Sequence, residues 1–377
     1  MVEKTPVALI VSDLHLSDRT WGSHPDLLGD SYWGLEQVVR RATERQPAVV
    51  IAGGDCLDVS RPNSQPVSEF LQALAELQKQ DIWFWYIQGQ HEFDRPPWLS
   101  VSPWGTHLHG LVGEVGPFKI YGLDYQPTAH LPDALQAIRE DADVLICHQA
   151  WREFMGRDTC QGELWQIPHV PLVFTGDLHQ YREATFRGAD GRDFRVYSPG
   201  ATHMRKIDEP EEHYILWLYD DGTVERETLR SRPVIRSGPL SREEQLEEFL
   251  VGLPEKLAAA DAAAAGLPEA LRRPLVQVKF HRDLPQVERR LAAVLNETAS
   301  LHLQEFTPAA PVGVIGDALP EMSLEQREAV VASGLVGCLS TLVEETDPVY
   351  QDLQRLALCP NVRAELQRMY REHLGEA

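Results

Sequence analysis

The chain has 377 residues, of which 43% are hydrophobic and 24% are charged, and this balance excludes wholesale disorder and fibrous repeats. A chain of this length exceeds what one hydrophobic core usually organises, so we expect two domains. The formal net charge of -22 argues against a protein that coats nucleic acid through bulk electrostatics. Any phosphate-bearing partner must therefore be bound at a local site.

The sequence shows no segment that predicts a membrane span or a signal peptide. It contains no run of about 18 apolar residues. The first apolar run, VALIVS at 7–12, meets Asp13 too soon for a secretory leader. The five cysteines are scattered without a CxxC pair, so we expect reduced, packed thiols and no disulfide framework. These features predict a cytoplasmic protein.

Short apolar runs alternate with amphipathic stretches from the start of the chain to about residue 235. The runs favour strands, and the apolar spacing of three and four residues at 33–46 and 67–80 favours helices. This alternation, ending in a run of strands, predicts an α/β fold in which helices flank the two sheets of a β-sandwich. The predicted strands are 7–12, 48–52, 82–87, 119–123, 143–147, 171–175, 194–198 and 214–219.

A change in composition divides the chain. Residues 231–242 (SRPVIRSGPLSR) concentrate Pro, Gly, Ser and Arg, which is typical of a linker. We therefore predict one domain over 1–235 and a smaller α+β domain over 236–377. The second domain is predicted to contain helices at 241–251, 254–265, 285–296, 323–345 and 348–373 and strands at 275–280 and 300–305.

Acidic and imidazole side chains follow five of the predicted strands, at the point where each strand ends. In an α/β fold the carboxyl ends of the strands share one edge, where sites are assembled. Asp13 and His15 are two residues apart, as are Asp177 and His179, so each pair projects to one side of an extended segment. The other residues at strand ends are Asp55, Gln90, His91 and His148.

Carboxylates and imidazoles in this number suit a pair of divalent cations. Two such ions lie about 3.5–4 Å apart, share a bridging carboxylate, and clamp the attacking and leaving oxygens of a phosphoryl transfer. Glycines at 53, 54, 89 and 176 stand just before these residues, and we expect them to allow close backbone approach. The pattern predicts a dinuclear metal site.

The order of these residues resembles the calcineurin-like metallophosphoesterase superfamily. DLH at 13, GGD at 53, GQHE at 89, CHQ at 147 and GDLH at 176 look like its series D-x-H, GD, GNH[DE], H and GHxH. The segments IVSDLHLSD, GGDCLD and VYSPGATHMRK look most like the SbcD-type DNA repair exonuclease subunit. The resemblance covers about residues 5–232 and implies a metallophosphoesterase-type β-sandwich, followed by a capping domain that helps to shape the DNA entry.

The resemblance also implies a role for each matched residue. Two divalent metal ions are expected, Mn2+ first, with Mg2+, Fe2+ and Zn2+ as alternatives. Asp55 bridges the ions, and a metal-bound hydroxide is the nucleophile. His91 is the histidine that stabilises the transition state or protonates the leaving oxygen. The remaining ligands are Asp13, His15 and His179 for the first ion and Gln90, His148 and Asp177 for the second.

Two ligands depart from the superfamily's pattern, and both serve the second ion. Gln90 stands where Asn is usual and is one methylene longer. Asp177 stands where the first His of GHxH is usual. Amide and carboxylate oxygens still suit manganese or magnesium. The extra negative charge should strengthen ion binding and weaken the ion's Lewis acidity.

His203, Arg182 and Arg205 are the predicted substrate-binding residues. His203 follows the SPGAT turn near the end of the first predicted domain. The two arginines belong to a basic group that suits a phosphate backbone. A solvated surface whose charges are balanced by acidic neighbours is the alternative for them.

The sequence predicts a metal-dependent phosphodiesterase, most like a DNA nuclease of the SbcD type that acts in DNA repair. The resemblance implies DNA as the substrate and an SbcC-type ATPase as a partner, and it leaves a homodimer open. Two alternatives remain. One is a phosphatase or a small-molecule (cyclic nucleotide) phosphodiesterase. The other is a catalytically weakened scaffold subunit of a DNA-repair or defence complex.

Overall fold

The structure is a computed structural model. Its described residues between 4 and 305 belong to one compact unit, and the predicted domain boundary between 235 and 236 stays a prediction. The helices predicted at 323–345 and 348–373 lie outside the described residues. The described ranges are 4–18, 29–92, 98–139, 141–156, 160–168, 170–188, 190–206, 209–296 and 298–306.

Strands of the first part of the chain form the sheets of a sandwich. All eight predicted strands are confirmed, with ends within one residue of the predicted ones. Four others, β4, β5, β9 and β12, were not predicted. The strands are β1 Pro6–Val11, β2 Val49–Gly53, β3 Trp83–Ile87, β4 Gly105–His107, β5 Val112–Val115, β6 Phe118–Leu123, β7 Val144–His148, β8 Leu172–Gly176, β9 Arg182–Arg187, β10 Asp193–Ser198, β11 His213–Tyr219 and β12 Val224–Leu229.

Two six-stranded sheets face each other. The first has the order β12-β11-β1-β2-β3-β4 and the second β5-β6-β7-β8-β10-β9. β1, β2 and β3 run parallel, as do β6, β7 and β8. Apolar side chains from both sheets fill the space between them, including Ile10, Ile51, Ile146 and Phe174. Burial on both faces explains why these strands read as continuous apolar runs.

Helices cover the outer faces of the sandwich. α1 Asp30–Arg45 and α2 Ser64–Lys79 cover the first sheet, and Val38, Phe70 and Leu74 supply their buried contacts. The short α3 Leu131–Gln136 and α4 Arg152–Met155 cover the second sheet. Short 3-10 helices occur at Trp98–Val101 and Leu164–Gln166. The predicted β-sandwich flanked by helices is confirmed.

A three-stranded sheet follows the sandwich, with the order β13-β14-β15. The predicted linker over 231–242 is wrong in its central part, because Val234–Leu240 forms β13 and pairs in parallel with β14. Ile235 and Leu240 enter the core of this sheet. The elements are β13 Val234–Leu240, α5 Glu243–Ala264, α6 Glu269–Arg272, β14 Leu275–His281, α7 Val287–Leu295 and β15 Ser300–Phe306.

The two helices predicted at 241–251 and 254–265 are one helix. α5 continues through Pro254 and buries Leu246, Leu253 and Ala260 along one side. This continuous packing outweighs the backbone hydrogen bond that proline cannot donate. The predicted βαβ unit is confirmed as β14, α7 and β15. None of the described helices combines the length and apolarity that crossing a bilayer requires.

The sandwich and the three-stranded sheet are joined through the start of α1. Arg232 Nη2 lies 2.9 Å from Asp30 Oδ2, and both side chains are buried. The indole of Trp33 donates a hydrogen bond to the Arg230 carbonyl oxygen at 2.9 Å. Trp33 also packs against Leu267 and its neighbours beyond α5. These contacts join the sandwich to the three-stranded sheet on the side where α1 lies.

Candidate metal centre

Three aspartates adopt strained backbone conformations where their strands end. Asp13, Asp55 and Asp177 have φ angles of 53°, 50° and 78°, a region that residues with a side chain seldom adopt. Strained residues of this kind cluster at functional sites. The sharp bends bring the loops together, because the Asp177 N–H lies 3.3 Å from Asp13 Oδ1 and the Asp13 N–H donates to the Gly54 carbonyl at 3.1 Å.

Glycine is required at Gly54 and Gly89, which directly precede Asp55 and Gln90. A Cβ on Gly54, whose φ is +95°, would lie 2.3 Å from His148 Nδ1. A Cβ on Gly89 would lie 2.0 Å from Asp55 Oδ1. Both distances are far below van der Waals contact, so any side chain here would displace a predicted ligand. The expectation that glycines allow close approach is confirmed at these positions.

Five of the seven predicted ligands lie close together, and the predicted catalytic His91 lies with them. In each of three overlapping groups, one potential ligand atom per residue lies within 4.8 Å of the others. Asp13 and Asp55 share one group, and each also belongs to a second group, as His15 does. The groups are Asp13, His15 and His179; Asp13, Asp55 and His148; and His15, Asp55 and His91.

Several buried atoms of this cluster suit a bound cation. Among the described residues, Asp13 Oδ2, Asp55 Oδ2 and His148 Nε2 have no hydrogen-bond partner. His148 Nδ1 lies 2.7 Å from the Gly53 carbonyl oxygen, which can only accept, so Nδ1 carries a proton and Nε2 is the nitrogen left to bind an ion. Buried lone pairs without a partner are costly. The residues present therefore fit divalent metal ions.

The electrostatics of the cluster favour positive charge. Burial opposes charge on His15, but the nearby carboxylates of Asp13 and Asp58 raise its pKa to about 9. Burial also opposes charge on His148, but Asp55 raises its pKa to about 10. Burial opposes ionisation of Asp13 too, and the neighbouring histidines still hold its pKa below the usual range. A site that binds protons this firmly is suited to cations.

The two departures from the superfamily pattern lie side by side. Gln90 Nε2 donates a hydrogen bond to Asp177 Oδ1, and the Gln90 side chain is exposed. The backbone N–H of Asp177 lies beside Asp13, which places this pair at the open rim of the cluster. Coordination of the second ion by Gln90 and Asp177 stays a prediction.

His91 lies against the cluster together with a basic residue. Its Nδ1 is 2.8 Å from the Asp58 carbonyl oxygen, so Nδ1 carries a proton. Arg205 Nη1 lies 3.5 Å from His91 Nε2, and Arg205 Nη2 lies 2.8 Å from Asp58 Oδ1. Burial lowers the pKa of His91, with the charges of His15 and Arg205 acting in the same direction. The structure thus brings the predicted catalytic histidine and one predicted substrate-binding arginine together.

Comparison with known proteins gives the site its context. No protein-family model matches the chain. The DNA double-strand break repair protein Mre11 of Methanosarcina acetivorans is 26% identical over 242 residues, which cover 59% of this chain and 39% of that protein. The protein of the same name from Saccharolobus solfataricus is 27% identical over 180 residues, covering 42% and 45%. These similarities support the assignment of the chain to the calcineurin-like metallophosphoesterase superfamily.

The matched region spans less than half the length of these relatives, 39% and 45%. A solved structure of a dimetal phosphatase from Danio rerio has 14% sequence identity and a TM-score of 0.40. The superposition covers 59% of this chain and 98% of that one.

The other two predicted substrate-binding residues, His203 and Arg182, differ in exposure. His203 is only 3% exposed, and neither of its ring nitrogens has a hydrogen-bond partner among the described residues. Burial and the nearby His213, His15 and His179 hold its pKa well below the usual value. Arg182 begins β9 and is exposed. Substrate contacts by both residues stay predictions.

Sequence reasoning missed Glu209. Its carboxylate accepts a hydrogen bond from His179 Nδ1 at 2.6 Å, although 30 positions separate the two residues. Glu209 lies in a loop and follows no apolar run, so strand-end placement could not reveal it. The nearest signal is its position shortly after the segment VYSPGATHMRK.

Proposed function

We propose that this metallophosphoesterase hydrolyses phosphodiester bonds with two divalent metal ions and that DNA is its substrate. The observation that carries the proposal is the cluster of buried carboxylates and imidazoles with unpartnered ligand atoms at adjoining strand ends. When bound, the ions would supply Lewis acidity and lower the pKa of a water molecule, which is the chemistry that phosphodiester hydrolysis needs. Mn2+ is the proposed metal.

Each residue of the site has its own proposed role. Asp55 and Asp13, with the other predicted ligands, would hold the two ions. His91 Nδ1 is engaged by the Asp58 carbonyl oxygen, so His91 can donate a proton from Nε2 to the leaving oxygen only when its ring is protonated. Arg205, beside His91, can bind a phosphate oxygen. Removal of the His91 or the Arg205 side chain should slow hydrolysis without unfolding the sheets.

Two observations support DNA as the substrate. The relatives that match this chain are named as DNA double-strand break repair proteins. A basic residue, Lys206, follows Arg205 at the site and is exposed. Because the molecule carries a net charge of -22, we propose a narrow groove with few phosphate contacts. An SbcC-type ATPase partner and a homodimer belong to the same proposal.

One observation favours the scaffold alternative. Gln90 and Asp177 bond to each other, and this pairing competes with coordination of the second ion. A site that holds only one ion would lose most of the clamp that a phosphoryl transfer requires. Measurable hydrolysis by the unaltered chain would exclude this alternative.

The substrate assignment is tested by charge reversal at Arg182, a predicted substrate contact, and at Lys206, which follows Arg205 at the site. Arg182→Glu combined with Lys206→Glu should lower Mn2+-dependent cleavage of linear DNA by about tenfold or more, because each lost phosphate contact weakens DNA binding. Hydrolysis of a small chromogenic phosphodiester should change little. The matched control is Lys79→Glu with Arg139→Glu, two exposed residues of other surfaces. Equal losses on both substrates would favour a small-molecule phosphodiesterase instead.

A further inference from the structure

We infer that Glu209 is a positioning residue that fixes a metal ligand with one carboxylate oxygen and the substrate-side arginine with the other. The inference deepens the proposed function, because it assumes that His179 serves a metal ion and Arg205 a phosphate. The Glu209 side chain is 12% exposed. It therefore has little contact with solvent and forms specific bonds inside the molecule.

The first oxygen determines the orientation of His179. Glu209 Oε1 lies 2.6 Å from His179 Nδ1, and a carboxylate can only accept, so the proton of His179 lies on Nδ1. His179 Nε2 then keeps its lone pair and lies 3.0 Å from His15 Nε2 and 3.7 Å from Asp13 Oδ1. A carboxylate behind a histidine in this way fixes the ring and makes it a stronger ligand.

The second oxygen holds the turn that carries Arg205. Glu209 Oε2 accepts the backbone N–H of Arg205 at 2.6 Å and that of Lys206 at 3.0 Å. With its backbone held there, Arg205 reaches Asp58 at 2.8 Å and stands beside His91. One carboxylate therefore couples the metal side of the site to its substrate side.

Glu209 is itself anchored from the three-stranded sheet. Arg236, in β13, donates from Nη2 to the Glu209 carbonyl oxygen at 2.7 Å. Arg236 also donates to Gln277 of β14 at 3.1 Å and to Glu211 at 2.9 Å. The position of the carboxylate thus depends on the sheet that follows the sandwich.

The substitution Glu209→Gln tests the inference. A glutamine has a single acceptor oxygen, so it cannot serve His179 and the Arg205 turn together, and its NH2 group would face an N–H donor. We expect Mn2+ affinity, measured by calorimetric titration of the full chain, to fall by about 10- to 100-fold. Glu211→Gln is the matched control, because it removes the same charge two residues away while touching Arg236 and not the site.

The first arm of a second measurement uses the unsubstituted chain alone. Nitrogen-15 NMR of the metal-free, unsubstituted chain should show His179 as a single tautomer protonated on Nδ1, and Glu209→Gln should change that signature while Glu211→Gln does not. A mixed or Nε2-protonated His179 in the unsubstituted chain would overturn the inference. So would Mn2+ affinities that differ by less than about twofold between the two variants.

These readouts separate the inference from the proposed function. Metal affinity and the imidazole signature are measured without any hydrolysis. If the unsubstituted chain hydrolyses no phosphodiester while Glu209→Gln still weakens Mn2+ binding, the proposed function fails and the role of Glu209 stands. If hydrolysis is observed and Glu209→Gln changes neither readout, the role of Glu209 fails alone.

Discussion

Single residues at the metal centre use one polar atom for orientation and leave another for ligation. Asp55 Oδ1 accepts the His91 N–H at 2.9 Å, while its Oδ2 has no partner among the residues that the structure describes. In the same way, His148 Nδ1 bonds to the Gly53 carbonyl oxygen, and Nε2 has no hydrogen-bond partner among the described residues. Side chains that are held before an ion binds lose little entropy when it does, which favours tight binding.

Asp55→Asn and His91→Gln should separate ligation from catalysis. Loss of the Asp55 charge leaves two cations with less shared neutralisation, so elemental analysis should find fewer bound ions and activity should disappear. His91→Gln should keep the metal content and lower kcat by about 10²- to 10⁴-fold. His91 also lies within a potential ligand group, so a loss of metal in His91→Gln would show that it is a ligand. Full metal occupancy in Asp55→Asn would contradict the bridging assignment.

A buried histidine predicts how the stability of the protein depends on pH. His213 Nδ1 lies 3.0 Å from the Ala201 carbonyl oxygen, and burial lowers its pKa from 6.5 to about 4. The unfolded chain binds this proton near pH 6.5, whereas the folded chain binds it only near pH 4. The free energy of unfolding should therefore fall by roughly 3 kcal/mol as pH drops through this range.

The control for this pH effect is His213→Gln, which can still donate to Ala201 and does not titrate. Urea unfolding above pH 6.5 and near pH 4 should show a smaller loss of stability in the variant than in the unsubstituted chain. Equal losses in both proteins would mean that His213 is not neutral in the fold.

The sequence could predict part of the candidate site, and physical reasons set the limit. Asp13, Asp55 and His148 were predictable because parallel strands present their carboxyl ends at a common edge. Asp58 and Glu209 were not, because their contacts depend on loops that return to the site without any periodic pattern. Arg205 was proposed only for its charge. Its contact with Asp58 could be found only from the folded structure.

At the scale of elements, buried strands were predictable and polar edge strands were not. β2, β7 and β8 are buried along their whole length and have apolar sequences. β9 and β12 lie at sheet edges, and their many exposed charged residues hide the strand. β13 contains Pro239 at an irregularity in its pairing, so its composition resembled that of a linker.

The buried pair between α1 and the segment before β13 should contribute strongly to stability. Arg232→Met leaves the Asp30 carboxylate buried without its main partner, and we expect a loss of about 3–5 kcal/mol in the free energy of unfolding. Adding Asp30→Asn should recover part of that loss. Arg187→Met, which breaks the exposed pair with Asp193, should cost less than about 1 kcal/mol. Equal costs in urea unfolding for the buried and exposed pairs would contradict this prediction.

For the molecule as a whole, the net charge of -22 repels DNA, whereas the candidate metal centre is proposed to bind it. The acidic surface attracts cations and repels polyanions over about 8–10 Å at physiological salt. With the proposed function, a phosphodiester would therefore be recognised at short range, by bound ions and by Arg205 and Lys206 beside them. This arrangement favours a catalyst with a local contact area over a protein that binds DNA along its length.

We propose that the protein hydrolyses phosphodiesters with divalent metal ions held at Asp55. The most direct test is the rate at which the purified chain hydrolyses a chromogenic phosphodiester, measured with Mn2+, with excess chelator, and in Asp55→Asn. We expect hydrolysis with Mn2+, loss of it in chelator, restoration when Mn2+ is returned, and a rate at least about 100-fold lower in Asp55→Asn. Hydrolysis that persists in chelator or in Asp55→Asn, or an unsubstituted chain that is inactive with Mn2+, would contradict the account.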